Sequence, residues 1–124
     1  MKLRILNNSI RLRLSVQEVS TLAAIGRVEA RCAFPNGTEL IYSISSFDHD
    51  HPIAEFVGGE LNISVPHPQC SRFCESDEVG MNETLDLPNG QSLDLLIEKD
   101  FKCLSDRKED ESGLFPHPRQ GEKC

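Results

Sequence analysis

The chain opens with MKLRILNNSIRLRL (residues 1–14), in which apolar and basic side chains alternate on both sides of Asn7-Asn8. An Asn-Asn pair suits a two-residue type I′ turn, because both central residues of that turn need positive φ. A turn at this position sorts the side chains by type onto two faces. The apolar face then carries Leu3, Ile5, Ile10 and Leu12, and the basic face carries Lys2, Arg4, Arg11 and Arg13. The stretch therefore predicts a hairpin with one core-facing side and one cationic side.

The same pattern recurs 51 positions later in the chain. Gly58-Gly59 takes the place of Asn7-Asn8, and a Pro-Asn-Gly turn follows in both segments after an insertion of two residues. An insertion of two preserves strand parity, so each side chain keeps its face. We infer a duplication that relates residues 1–46 to residues 52–98, with chance similarity of two small α+β units as the alternative.

Each copy reads strand, strand, helix, strand, strand. Ser15 and Glu18 match a capping box that opens the first helix. Pro66-His67-Pro68 opens the second helix, where an early proline loses no helical hydrogen bond. We predict an α+β fold in which duplicated ββαββ units form an antiparallel curved sheet or an eight-stranded barrel, with two helices on its apolar face. Closure would remove edge strands that so short a chain cannot otherwise cover.

The length of 124 residues and an ordinary composition predict a single domain over residues 1–118. This domain would contain both repeats and a docked segment, residues 99–118, whereas residues 119–124 would form a loose tail. The formal net charge of −7 argues against nucleic-acid binding. We find no long apolar run and no secretory signal, so we expect a cytoplasmic protein without membrane contact and with reduced cysteines. Its oligomeric state stays open.

The basic hairpin face places like charges directly opposite one another, which destabilises strand pairing by about a few tenths of a kcal/mol per pair. Such a face persists if carboxylates from neighbouring strands, or a bound anion, lie between the cations. Ion pairing is the favoured interpretation, because other polar strand faces carry Glu29, Glu39, Glu55, Asp94 and Glu98. Binding of an anionic small molecule or an acidic protein is the alternative. The candidate ligand-binding residues are Lys2, Arg4, Arg11, Arg13 and Glu83.

Glu83 breaks the alternation of its own strand. It falls on the apolar face that Val79, Met81 and Leu85 form, at the position that Cys32 has in the other copy. A carboxylate there must be paired, protonated or located at an exposed strand end. Fraying or a bulge near the insertion is the simpler interpretation, and a buried functional carboxylate is the alternative.

Two further groups contain side chains that can bind metals. Cys70 and Cys74 take the helix positions of Val19 and Ala23, so we interpret them as buried small hydrophobes rather than a metal or redox pair. The loop Asp48-His49-Asp50-His51 could hold a divalent ion, but consecutive loop residues rarely converge alone, which favours a solvated linker. We assign no catalytic residue, metal site or cofactor, because the sequence has no phosphate-cradling glycine loop, nucleophile elbow or Cys/His dyad.

The chain resembles a family of small uncharacterised bacterial proteins. The resemblance rests on the start MKLRILNNSIRLRL, the helix SVQEVSTL, and the ending LIEKDFKCL followed by ED and LFPHP. It covers nearly the whole chain and implies a bacterial cytosolic domain with an ordered C-terminal segment, but no activity. The recurrent residues of that segment are Phe101, Cys103, Leu104, Glu109, Asp110, Phe115 and Pro116.

The predicted architecture is also similar to the CYTH class of triphosphate-tunnel barrels. Those proteins bind triphosphates with basic side chains and metal-holding carboxylates, and their first strand carries Glu-x-Glu-x-Lys. The corresponding strand here is Lys2-Leu3-Arg4-Ile5-Leu6, which lacks the acidic pair. The likeness is therefore one of fold only.

Three functions are compatible with these observations. The first is a non-enzymatic binding or interaction module whose basic hairpin face meets an anionic ligand or acidic partner. The second is a phosphohydrolase or nucleotide-binding barrel of the CYTH type, which would use the same cations with Glu83, Glu98 and a metal. The third is an accessory protein that acts through its C-terminal segment.

Overall fold

A computed structural model of the chain describes residues 1–101, which form eight strands and two helices. The strands are β1 (Lys2–Leu6), β2 (Ser9–Leu14), β3 (Arg27–Ala33), β4 (Glu39–Phe47), β5 (Ile53–Val57), β6 (Glu60–Pro66), β7 (Gly80–Asp86) and β8 (Ser92–Lys99). The helices are α1 (Val16–Ile25) and α2 (His67–Glu75), and neither is long and apolar enough to cross a membrane. The predicted α+β class is confirmed. From residue 102 onward, the predicted docked segment and loose tail lie outside the described residues.

The strands form two separate four-stranded sheets rather than one. The first sheet has the order β1-β2-β8-β7, and the second has the order β3-β4-β6-β5. Hairpin partners run antiparallel, but the central pairs, β2 with β8 and β4 with β6, are parallel. The antiparallel strand pairing within the hairpins is confirmed, but the prediction of one fully antiparallel sheet, curved or closed into an eight-stranded barrel, was wrong, because the central pairs are parallel and the strands form two open sheets.

Each sheet joins a hairpin from the first half of the chain to a hairpin from the second half. Helix α1 follows β2 and leads into β3 of the other sheet, so the two hairpins of the first half lie in different sheets. Strand parity determines which face a side chain takes, but not which hairpin becomes the neighbour. The order strand, strand, helix, strand, strand occurs twice. Common ancestry of the two halves stays a prediction.

The first hairpin has the predicted register. Arg4 lies opposite Arg11, and Lys2 lies opposite Arg13. At the turn, Asn7 has a φ of 51°, a positive value that asparagine tolerates better than most residues. The turn between β5 and β6 uses Gly58-Gly59, with φ values of 59° and 80° that glycine adopts without steric cost. Both hairpins therefore turn at the residues that the sequence indicates, but Asn8 does not have the positive φ that the predicted type I′ turn requires.

The start of α1 is the predicted capping box. The Ser15 hydroxyl accepts a hydrogen bond from the Glu18 amide, and the Glu18 carboxylate accepts one from the Ser15 amide. The same carboxylate also accepts a hydrogen bond from the amino terminus of Met1. Burial acts to raise the pKa of Glu18, but the hydrogen bonds from the amino terminus and Ser15 lower it overall. These contacts tie the beginning of β1 to the first turn of α1.

Both helices and the inward faces of both sheets share one hydrophobic core. Leu22 of α1 and Phe73 of α2 are almost completely buried, at 1% and 0% exposure. Helix α1 contacts α2 and β3, and α2 contacts β6. The other buried members are Ile10, Leu12, Leu14, Val28, Ile44, Leu61, Ile63, Val65, Cys70, Met81, Leu95 and Ile97. The core therefore draws on both halves of the chain.

The cysteines of α2 belong to this core rather than to a reactive site. Cys70 is buried and Cys74 is partly buried against the core cluster, as the sequence pattern predicts. Burial raises the pKa of both thiols, and that of Cys74 reaches about 11. A thiol that stays protonated at neutral pH is a poor nucleophile and a poor metal ligand. The geometry therefore agrees with the role of small hydrophobes.

Candidate anion-binding site

The outer face of the first sheet brings together the four cations of the first hairpin. Lys2 and Arg4 come from β1, and Arg11 and Arg13 come from β2. Strand β8 runs parallel to β2 on its other side, and its register places Asp94 beside Ser9, Leu96 beside Arg11 and Glu98 beside Arg13. The cations of the first hairpin therefore lie next to a strand from the second half of the chain that presents two carboxylates and one leucine on the same face.

Glu98 binds two of these cations. Its Oε1 atom accepts hydrogen bonds from the Nε atoms of Arg11 and Arg13, each at 2.7 Å. Burial acts to raise the pKa of the Glu98 carboxyl, but the hydrogen bonds from Arg13 and Arg11 outweigh it and lower the pKa overall. The predicted ion pairing across the sheet is confirmed for these two arginines.

Lys2 also has an acidic partner. Its Nζ atom lies 2.8 Å from Oδ2 of Asp100, which follows the end of β8. The Lys2 side chain is 72% exposed, so solvent screens this pair and it contributes little stability. Three of the four cations thus share two carboxylates.

Arg4 differs from the other three cations. Within residues 1–101 it forms no ion pair and no hydrogen bond. An open cavity of about 350 Å³ lies beside it on this face, and its lining consists of Arg4, Leu6, Ser9, Arg11 and Leu96. Arg4, which has no acidic partner in the described part of the chain, therefore lines a cavity that a second arginine also lines.

The cavity lining combines positive charge, a hydroxyl group and apolar surface. Among the described contacts, Arg11 uses only its Nε to bind Glu98, which leaves its Nη groups available, and Arg4 lines the same cavity. A guanidinium presents a planar fork of donors that matches a carboxylate or phosphate group. Leu6, which is 59% exposed, and Leu96 supply apolar contact area. The arrangement can hold a carboxylate or phosphate that is joined to an apolar group.

One carboxylate lies close to the cavity without lining it. Asp94 is the register partner of Ser9, and its Oδ1 accepts a hydrogen bond from the Thr84 hydroxyl of β7 at 3.2 Å. The Asp94 carboxylate is therefore bound to β7 and does not line the cavity.

Glu83 does not join the cations. It lies on the inward face of β7, where Met81 and Leu95 are its neighbours, and it accepts a hydrogen bond from Nε2 of Gln69 in α2 at 2.8 Å. Of the three states expected for a carboxylate at this position, the structure shows the paired one. The favoured interpretation, fraying or a bulge, was wrong, because β7 pairs with β8 without interruption from Gly80 to Asp86. The structure brings Lys2, Arg4, Arg11 and Arg13 together on one face and places Glu83 on the other.

The sequence analysis missed the apolar part of the cavity. Leu96 lies between Asp94 and Glu98 in the alternation of β8, and an apolar residue on a polar strand face is a usable signal. Leu6 and Ser9 occupy positions of the same parity as the hairpin cations, so the sequence also indicated that they lie on the cationic face. Gln69 gave no signal, because nothing in the sequence indicates that α2 packs beside β7.

Comparisons with known proteins identify a family and no activity. A model for a family of unknown function (DUF7009) matches residues 1–119, so the chain belongs to this family and the resemblance to an uncharacterised family is confirmed. No curated protein and no solved structure matches the chain.

Proposed function

Because the chain belongs to a family without an established activity, we propose its function from the site: it is a binding module that takes a small organic anion on the outer face of the first sheet. One observation carries the proposal. Arg4, without a partner among residues 1–101, borders an open cavity of about 350 Å³ that Arg11 also lines.

The charge balance of the face favours an anion as the missing partner. Arg4 and Arg11 are direct cross-strand neighbours, an arrangement of like charges that costs stability. Glu98 carries one negative charge and binds two arginines, so it neutralises only one of their two positive charges. Asp100 pairs with Lys2. A bound carboxylate or phosphate would remove the remaining repulsion, and its charge-assisted hydrogen bonds would contribute about 1.5–3 kcal/mol each.

The apolar lining narrows the ligand class. A free inorganic anion would leave Leu6 and Leu96 in contact with water, whereas an anion with an aliphatic or aromatic part would cover them. Ligand pockets commonly combine apolar walls with a few placed polar groups that fix orientation. We therefore expect amphiphilic anions, such as medium-chain carboxylates or aryl phosphates, to bind more tightly than phosphate itself.

The phosphohydrolase interpretation fits the geometry less well. A metal-dependent site needs carboxylates that are free to bind the ion on the face that holds the cations. Glu98 already accepts hydrogen bonds from two arginines, and Glu83 lies on the opposite face of the sheet. The third interpretation is an accessory role of the C-terminal segment, residues 99–118, of which the structure describes residues 99–101.

A thermal-shift screen followed by calorimetry tests the proposal. The panel contains phosphate, pyrophosphate, nucleotides, octanoate and phenyl phosphate, each with and without magnesium. We expect the amphiphilic anions to raise the melting temperature, and we expect Arg4→Gln to weaken their binding by about 10- to 150-fold, since it removes one charge-assisted contact.

Arg31→Gln is the matched control, because Arg31 also lies on an outer sheet face but pairs with Glu29 and Glu39 of the second sheet. It changes the net charge equally and should leave binding unchanged. If both variants lost the same amount of anion affinity, the loss would reflect the change in net charge and not a specific contact of Arg4, which would contradict the proposal. If no compound of the panel bound at millimolar concentration, the proposal would be contradicted. If an acidic protein bound instead, and its binding required Arg4, the face would be a protein-binding surface and not a small-molecule site.

A further inference from the structure

A second cluster of polar side chains lies in the loop between β4 and β5, both of which belong to the second sheet. His49, Asp50 and His51 each offer one ligand atom here, and these three atoms lie within 4.8 Å of one another. We propose that this loop is a site for a divalent transition-metal ion, held by the two imidazoles and the carboxylate.

The distances within the loop are close to those of a metal centre. Nδ1 of His49 lies 3.0 Å from Oδ1 of Asp50, and Nδ1 of His51 lies 2.7 Å from the same oxygen. In a tetrahedral zinc site with bonds of about 2.0–2.1 Å, neighbouring ligand atoms are separated by about 3.3 Å. The separations of 3.0 and 2.7 Å are shorter than this by about 0.3 and 0.6 Å, so a small outward movement of each ring would admit the ion. The ligand atoms of consecutive residues therefore converge here, while all three side chains stay exposed, as the solvated-linker interpretation expects.

Neighbouring rings hold the imidazoles in place. The ring of Phe47, the last residue of β4, stacks on His49 with centroids 5.4 Å apart and planes inclined by 7°. His49 in turn meets His51 edge to face, with centroids 4.3 Å apart. These contacts limit ring rotation, so both Nδ1 atoms are oriented toward Asp50 before any ion arrives. Such preorganisation reduces the entropic cost of binding.

The donor set indicates the type of ion. Two imidazole nitrogens and one carboxylate oxygen suit zinc, copper and nickel better than the all-oxygen ions magnesium and calcium. All three side chains are exposed, so water can complete the coordination. The site would lie in the connection between the two halves of the chain, where a bound ion would restrict the loop.

Titration of the full-length chain with Zn²⁺ under reducing conditions tests the proposal. We expect one equivalent to bind, with an affinity that falls at least about tenfold in His49→Ala, His51→Ala and Asp50→Asn, since loss of a group that only supports a ligand already costs 10- to 100-fold. His67→Asn is the matched control, because His67 is a histidine of α2 that contacts Ser46 rather than the loop cluster. It should bind zinc as the parent does.

Co²⁺ distinguishes this site from the five thiols of the chain. A site of imidazole and carboxylate should give ligand-field bands without a sulfur-to-cobalt charge-transfer band, and the bands should disappear in His51→Ala. A dominant charge-transfer band that is lost in Cys32→Ser, unchanged affinity in the three loop variants, or no zinc binding at millimolar concentration would each overturn the proposal.

Discussion

At the scale of single residues, one carboxylate pairs with two of the four cations on the outer face. Glu98 accepts hydrogen bonds from Arg11 and Arg13 through the same oxygen, so its removal would leave three arginines on this face without an acidic partner among residues 1–101. The sequence predicted Glu98 among several candidate partners, because it shares the parity of polar positions. It could not single out Glu98, since the choice depends on the parallel register of β2 and β8.

Glu98→Gln should lower the free energy of unfolding at pH 7 by about 1–2 kcal/mol, because the charge-assisted hydrogen bonds to two arginines weaken. The effect has a defined pH dependence. The folded state lowers the pKa of Glu98 below its ordinary value of 4.5, so the carboxylate stabilises the fold above that value and loses its contribution as the pH falls through the lowered pKa. Urea denaturation of both proteins at several pH values measures the difference.

The parent and Glu98→Gln should therefore differ at pH 7 and converge in acid. A difference that persists unchanged at acid pH would contradict the ion-pair account, because a protonated Glu98 has no charge to offer. Glu55→Gln is a suitable control, since Glu55 lies on exposed β5 with no ion pair in the described part of the chain.

At the scale of elements, the sequence predicted nearly everything that is local. Hairpin turns, the capping box of α1 and the inward stripe of α2 follow from φ preferences and from periodicities of two and 3.6 residues. Gly26 ends α1 with a φ of 84°. These features depend on residues close in sequence, so their signals are present in the chain itself.

Leu22→Asp should abolish soluble folding, because it places an unpaired charge at a position with 1% exposure. Val16→Asp is the matched control on the same helix, since Val16 is 87% exposed. Expression yield and thermal melting of the two variants check the assignment. A soluble Leu22→Asp protein that melts with the parent would show that α1 does not pack through this residue.

At the scale of the whole molecule, the sequence could not predict how the hairpins combine. The apolar faces required burial, and one curved sheet or two packed sheets both satisfy that requirement. The distinction depends on contacts between distant segments, such as β2 with β8 and β4 with β6, for which alternation carries no information. The cavity beside Arg4 depends on the same long-range pairing, because the register of β2 and β8 puts Leu96 next to Arg11.

Solubility alone does not explain the basic face, because the molecule as a whole already carries a large net negative charge. The formal net charge is −7, yet two arginines lie directly opposite each other on β1 and β2. If Arg4 serves a ligand rather than the fold, its removal should not weaken the ligand-free protein, although it makes the net charge more negative. Arg4 would then contribute to ligand binding and not to the stability of the ligand-free fold.

Denaturant unfolding of ligand-free Arg4→Gln tests that claim most directly. We predict a free energy of unfolding equal to that of the parent or higher by about a few tenths of a kcal/mol, because the cross-strand repulsion with Arg11 is removed. A loss of about 1 kcal/mol or more would mean that Arg4 has a structural partner, and it would contradict the assignment of this cation to a ligand.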